Sequence, residues 1–294
     1  MTNDMIVNQE TCSKCGACAS ICPVRAINHS KGELPFPNPD RAQTCVRCAH
    51  CMAICPKGSI SISGLSDKDL LDLPENIPNY QAFFDLLITR RSIRNFKDQP
   101  VPREFLEQIV QAITQAPMGF PPHKTHVTVI QERSTILKML PTITKIYEDI
   151  LKWMKNPVIR FAIKNQTDAE TFSSIKNHLL PLMSIRLPEM KKTNSDEITW
   201  GAPALMLFHA HKSAETHTVD ACIALTYAFL AAHSLGLGVT VSGLIPPAVN
   251  HSSELQEMLK IPKDHEVVCC MMLGYPRYKF RKGIKRPLAS VSWI

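Results

Sequence analysis

The sequence predicts an α+β fold, with one sheet wrapped by helices and a small cysteine-rich module in front of it. Three observations predict this. The 294 residues are enough for two domains with cores of their own. Eight of the eleven cysteines crowd into residues 1–63, a stretch with little aliphatic material. The rest has ordinary globular composition, and its apolar residues switch between helical spacing and short continuous runs.

The module comes first. Cys12, Cys15, Cys18 and Cys22-Pro23 read C-x2-C-x2-C-x3-C-P, and Cys45, Cys48, Cys51 and Cys55-Pro56 repeat this at an offset of 33 residues. The apolar residue five places after the fourth cysteine recurs too, as Ile27 and Ile60. This spacing resembles that of bacterial-type ferredoxins with two 4Fe–4S clusters. Cysteines at i, i+3 and i+6 bend one loop around three corners of an iron–sulfur cube. In such ferredoxins the fourth corner is filled from the other repeat. Cys12, Cys15, Cys18 and Cys55 are therefore assigned to one cluster, and Cys45, Cys48, Cys51 and Cys22 to the other. Zinc sites more often join separate C-x2-C knuckles, and a disulfide framework suits a secreted chain better. So small a segment buries little apolar surface, so metal must supply much of its folding energy.

Between the repeats, Gly32 to Asp40 reads as a Pro-rich loop, and residues 64–80, polar and carrying Pro74 and Pro78, as a linker. The second domain spans 81–294. Phe83, Phe84, Leu86 and Leu87 give a short helix running into Arg90. Pro102 opens another, with Phe105, Leu106, Ile109, Val110 and Ile113 as its apolar stripe. His126 to Gln131 alternates as a strand does. Residues 133–200 are mainly helical, with breaks expected at Pro141, Pro157, Pro181 and Pro188. Strands follow at Ala204 to His209, Val239 to Ser242 and Val267 to Leu273, with a buried helix at Asp220 to Leu235. The last strand is a continuous apolar run, as expected when both faces are covered. Cys222, Cys269 and Cys270 lie in apolar runs and read as core residues.

Composition narrows the function. The formal charge is +7, but two oxidised clusters and a bound phosphate would bring it to roughly +1. The basic residues are scattered and aromatic content is low, so nucleic-acid binding is not expected. No signal peptide or membrane span is expected either. The reading is a soluble protein of the reducing cytoplasm.

Single electrons from clusters need an adapter before two-electron organic chemistry, and flavin is such an adapter. Arg90-Arg91-Ser92-Ile93-Arg94-Asn95-Phe96 gathers three arginines and a serine at a helix end, a suitable place for phosphate, although charge runs are more often solvated surface. The chain from residue 81 resembles the FMN-dependent nitroreductase family at four places. RRSIRNF matches that family's R-[RH]-S-x-[RK]-x-F signature. Ala116-Pro117-Met118-Gly119 stands at its small-Pro-Ser turn. Ala228 to Ile245 resembles its central helix, Leu-Gly-Leu-Gly turn and strand, and Leu273 to Pro287 its Leu-Gly-Tyr-Pro and basic ending. The whole chain then resembles a ferredoxin-fused nitroreductase.

The resemblance implies roles. Arg90, Arg91 and Ser92 would bind the FMN phosphate and ribityl chain, and Arg94 the pyrimidine edge of the ring. Ser242 and Gly243 would place a backbone N–H near flavin N5. Arg281, Lys285 and above all Arg286 would complete the phosphate contacts. Pro117 and Met118 would touch the flavin of a second subunit in a homodimer. One departure stands out: the family's usual Asn falls on Pro121, which has no amide to offer. His123 and His126 are candidates to fill that gap. Gly236-Leu237-Gly238 follows a helix, not a strand, so it is not a dinucleotide fingerprint. His209 and His211 sit two apart, but the sequence shows no third ligand beside them.

The expected activity is an FMN-dependent oxidoreductase in which the cofactor carries the chemistry. A reduced ferredoxin or similar partner would donate electrons, and a nitroaromatic, quinone or activated alkene would accept them. The alternative is an electron-transfer subunit that serves a partner protein without a small organic substrate.

Overall fold

The computed structural model describes residues 5–119, 125–193 and 195–294, which divide into two compact units at residues 77 and 78. Pro121 and His123 lie outside the described residues.

The first unit is a duplicated module. Its elements are β1 (Met5–Val7), α1 (Ala17–Ile21), β2 (Ile27–Asn28), β3 (Phe36–Pro37), α2 (His50–Ala53) and β4 (Ile60–Ile62). β1 pairs antiparallel with β4, and β2 with β3, so the loop read as Pro-rich contributes a short strand. The 33-residue repeat extends to the backbone. Lys14 and Arg47 (φ 56° and 54°), Gly16 and Ala49 (74° and 61°), and Arg25 and Gly58 (54° and 58°) occupy the left-handed region in register. Four of these six are not glycine, so the tight cysteine loops hold them where L-residues rarely go. Cys18, Cys51, Met52, Ile27, Ile60 and Ile62 form the core, small as its composition requires. Residues 64–80 carry a single 3-10 turn, Asp67–Asp69, with a Ser66–Asp69 capping box, and Leu65 and Leu70 pack onto that same core.

The second unit contains α3 (Tyr80–Thr89), α4 (Arg103–Ile113), β5 (His126–Ile130), α5 (Arg133–Lys155), α6 (Pro157–Gln166), α7 (Ala169–Ser174), α8 (Leu180–Thr193), β6 (Ala204–His211), α9 (His217–Ser234), β7 (Gly238–Ser242), α10 (Ile245–Asn250), α11 (Ser253–Met258) and β8 (His265–Gly274). The sheet is antiparallel, in the order β5-β6-β8-β7. Alternation along β6 and β8 builds two cores. Leu205, Leu207, Cys270 and Met272 face α5, α8, α10 and α11. Ala204, Met206, Phe208, Cys269 and Met271 face α4 and α9. Each fully buried Leu, Met or Phe here contributes about 1.5–3 kcal/mol. These two strands are central and covered on both faces, which explains their uninterrupted apolar runs.

Two expectations need correction. Pro141 and Pro188 do not break helices: α5 runs 23 residues through Pro141, and α8 continues through Pro188. Both prolines are exposed, as are Leu137 and Ser184, the residues four places earlier. The carbonyls they leave unpaired thus lie on the wet side of the helix, and burial of Ile136, Met139, Ile143 and Tyr147 offsets the cost in α5. Pro157 does open a helix, at its first turn. Cys222 is exposed on the outer stripe of α9, whereas Cys269 and Cys270 are buried. An apolar run hides this because α9 is apolar on its exposed side as well, with Val219 and Tyr227 there.

Gly236, at φ 78°, ends α9 in a left-handed cap, with Leu237 N–H donating to the Ala232 carbonyl. Among the described residues no helix is long and apolar enough to cross a membrane.

Candidate functional site

The eight thiols of the first unit sort into two cavities. Cys12, Cys15, Cys18 and Cys55 line one, and Cys22, Cys45, Cys48 and Cys51 line the other. Each cavity thus takes three cysteines from one repeat and the proline-capped fourth from the other. Apolar walls, Val7 and Ile60 in one and Met5, Ile27 and Ile62 in the other, close them. The two fourth cysteines are held alike: Cys22 Sγ accepts the Ala26 N–H and Cys55 Sγ the Ser59 N–H, each at 3.2 Å. Backbone N–H groups aimed at sulfur stabilise thiolate charge. Gly16 is required as glycine, because a Cβ there would run into the His29 ring. Among the described residues no three His, Cys, Asp or Glu side chains already stand as ligands of one metal ion. The thiols are instead spread around a cavity, as a multi-iron cluster needs.

In the second unit the basic segment leaves α3 and runs beside β7. Ser92 bridges Val239 in parallel, and Ile93 N–H donates to the Val239 carbonyl at 2.9 Å. Gly238 makes this approach possible, since a Cβ there would stand 2.6 Å from Ile93. Phe96 then bridges Pro276, and Lys97 N–H reaches the Tyr275 carbonyl at 2.8 Å. The C-terminal segment returns to the same place: a Cβ at Gly283 would stand 3.3 Å from the Ile88 carbonyl and 3.6 Å from Arg91 Nη2.

Arg90, Arg91 and Arg286 therefore converge. Burial, then the charges of Arg91 and Arg286, push Arg90 below the usual guanidinium range. Among the described residues none of the three has a carboxylate partner within salt-bridge distance. Arg91 Nη2 donates to the Ile88 carbonyl, but its Nε is buried without an acceptor. A buried donor left unpaired costs about 1–3 kcal/mol, and converging positive charges repel. An anion such as a phosphate monoester would relieve both. Arg281 and Lys285 are exposed on the same terminal segment.

Other assigned residues have different surroundings. Arg94 lies 5.3 Å from the Trp200 ring centroid, with Arg186 on the same ring, and lines a cavity of about 620 Å³ with Arg133, Arg277 and Tyr278. The Ser242 hydroxyl is buried and accepts the Leu244 and Ile245 N–H groups, starting α10. Gly243 beside it is exposed, and a Cβ there would meet nothing within 4 Å, so its backbone borders open space. The turn carrying Pro117 and Met118 is pinned by buried Asp220, which accepts the Gly119 N–H at 2.8 Å and the Thr216 hydroxyl at 2.9 Å. Sequence reasoning missed Asp220, whose only signal was a carboxylate inside an apolar helix.

His126 is not alone. Its ring stacks 5.5 Å from His209 and stands edge-on 4.7 Å from His265. His209 Nδ1 and His265 Nδ1 are 2.9 Å apart. Burial, then His265 and His126, push His209 down to about 4. The neighbours that His209 and His211 seemed to lack come from other strands.

Known proteins agree with both halves. Residues 87–275, well over half of the chain, match the model of the Nitroreductase family, and residues 11–60 match that of the 4Fe-4S dicluster domain. An FMN reductase [NAD(P)H] of Bacillus subtilis (strain 168) is 26% identical over 206 residues, covering 70% of each chain. A Bacteroides fragilis nitroreductase solved with bound FMN superposes with a TM-score of 0.54 at 18% identity, covering 72% of this chain and 97% of its own. A Desulfitobacterium hafniense nitroreductase, also solved with FMN, gives 0.51 at 19%, covering 72% and 97%. At such identities the two structures speak for the fold alone.

Proposed function

The chain belongs to the nitroreductase family and carries a 4Fe-4S dicluster domain in front, and from this we propose an iron–sulfur flavoprotein in which single electrons enter through the dicluster domain and a small organic acceptor is reduced at a bound FMN. The observation that carries the reading is the sorting of eight thiols into two crossed quartets. A fold built to reduce organic acceptors has no need of that module unless electrons arrive singly. When bound, FMN supplies the exchange between single electrons and electron pairs.

The chain's own residues would bind and orient. Arg90, Arg91 and Arg286 would hold the phosphate, with Ser92 at the ribityl chain and Arg281 and Lys285 at the rim. The unpaired Arg91 Nε and the uncompensated charges support this assignment. Gly243 would offer its exposed N–H to the ring, and Ser242, fixed as the start of α10, would hold that N–H in place. Arg94 would serve the pyrimidine edge by leaving Trp200. Pro117 and Met118 would meet the flavin of a second copy. Exposed Tyr80, Phe83 and Leu87 on α3 and exposed Leu288 and Trp293 near the C-terminus support such a homodimer. A one-electron donor such as reduced ferredoxin, in a reducing cytoplasm, completes the reading.

The test is a steady-state screen of anaerobically purified protein supplied with a one-electron donor. Turnover of a nitroaromatic, quinone or activated alkene supports the enzyme. Activity with a protein acceptor alone would establish the relay subunit instead.

A further inference from the structure

We propose that His126, His209 and His265 form a binding site for one divalent transition ion of the zinc class, held by neutral imidazole nitrogens. The strand register brings them together. His126 pairs directly with His209, and His211 with His265, so four imidazoles meet at one end of three adjacent strands. A bulge between Phe208 and His209 shifts that register where the cluster begins.

Two of the three donors already converge, and the third ring stands beside them without yet completing a ligand set. His209 Nδ1 and His265 Nδ1 face each other at 2.9 Å, and both side chains are buried. On the far side of its ring, His209 Nε2 is held by the Thr128 hydroxyl at 3.1 Å. A partner on the far nitrogen is how a ligating histidine is oriented, and it leaves Nδ1 as the inward donor. The exposed His126 ring closes the third side. His211 stands at the rim and is fully used, its Nδ1 by Ser213 and its Nε2 by Asp264 at 3.2 Å.

In the metal-free chain a hydrogen bridges the two Nδ1 atoms. On binding it would leave Nδ1 for the far nitrogen of its ring, so no net charge is lost and both Nδ1 lone pairs face the ion. Tetrahedral zinc with bonds of about 2.0–2.1 Å sets its nitrogens roughly 3.3 Å apart, so the two rings part by about 0.4 Å. His126 then rotates inward, the movement that turns a pair into a three-ligand site, with water in the fourth position. Three imidazoles suit zinc, nickel or copper and not magnesium or calcium, which prefer oxygen. The ion would tie together β5, β6 and β8.

The experiment is zinc retention by the iron-loaded holoprotein, dialysed anaerobically against zinc in the presence of excess magnesium. The wild type should retain about one zinc per chain beyond its iron, and zinc should raise its thermal midpoint. His126→Ala, at an exposed position, should keep its iron and its fold, bind zinc about tenfold or more weakly, and lose the zinc-dependent shift. No zinc on the wild type, or equal retention and equal shifts in wild type and H126A, overturns the proposal.

Discussion

Arg91 carries the most informative single atom in the second unit: a buried Nε with no acceptor, beside two further guanidiniums. A charge-assisted bond is worth about 1.5–3 kcal/mol, so Arg91→Ala should weaken FMN binding roughly 10–100-fold, read by flavin fluorescence on titration. Unchanged affinity would remove Arg91 from the cradle. Asp196 makes a different prediction. It holds Arg133 at 2.7 Å and accepts the Ile198 and Thr199 N–H groups, fixing the turn that presents Trp200. Burial opposes its charge, but the bonds from Thr199 and Arg133 win, and the carboxyl sits below its ordinary range. Asp196→Ala should cost about 3 kcal/mol in urea unfolding, because Arg133 loses its carboxylate and the Ile198 and Thr199 N–H groups lose their acceptor. A depressed carboxyl stabilises above its unfolded pKa, so this contribution is present above about pH 4 and lost as pH falls below it. Wild type should therefore lose more stability than D196N across that window. The cluster cysteines were legible because their chemistry lies in local spacing. The histidine group was not, since residues 126, 209 and 265 meet only through strand register.

Elements followed expectation where apolar spacing set the reading and strayed where proline did. α4 lies within a few residues of expectation because Leu106, Ile109 and Ile113 are buried along one face, and β6 and β8 because both of their faces are covered. Across residues 133–193 proline alone predicts breaks, because the sequence does not show which side of each helix is wet. Exposed Pro141 and Pro188 show that position on the helix decides, not the residue alone. At β7 the element itself is testable. Gly238→Ala would force a Cβ against Ile93, where contacts of 2.6, 2.8 and 2.9 Å leave no room. The expected cost is about 1–3 kcal/mol. Pushing residues 92–94 off β7 should also loosen flavin more than overall stability explains. A variant that binds FMN normally would show that the segment's attachment to β7 does not matter for the site.

At the scale of the molecule, the duplicated backbone of the first unit and the two-sided sheet of the second were both foreseeable from sequence. Repeated cysteines impose one, and continuous apolar strands the other. The family resemblance added what neither pattern could, the proposal of a flavin cradle made of scattered short segments. The account rests on both cofactors belonging to one chain. Its most direct test is iron and flavin quantification on anaerobically purified protein. About eight irons and one FMN per chain are predicted, from four irons in each cluster. Protein that is folded and fully iron-loaded yet holds no stoichiometric FMN would contradict it.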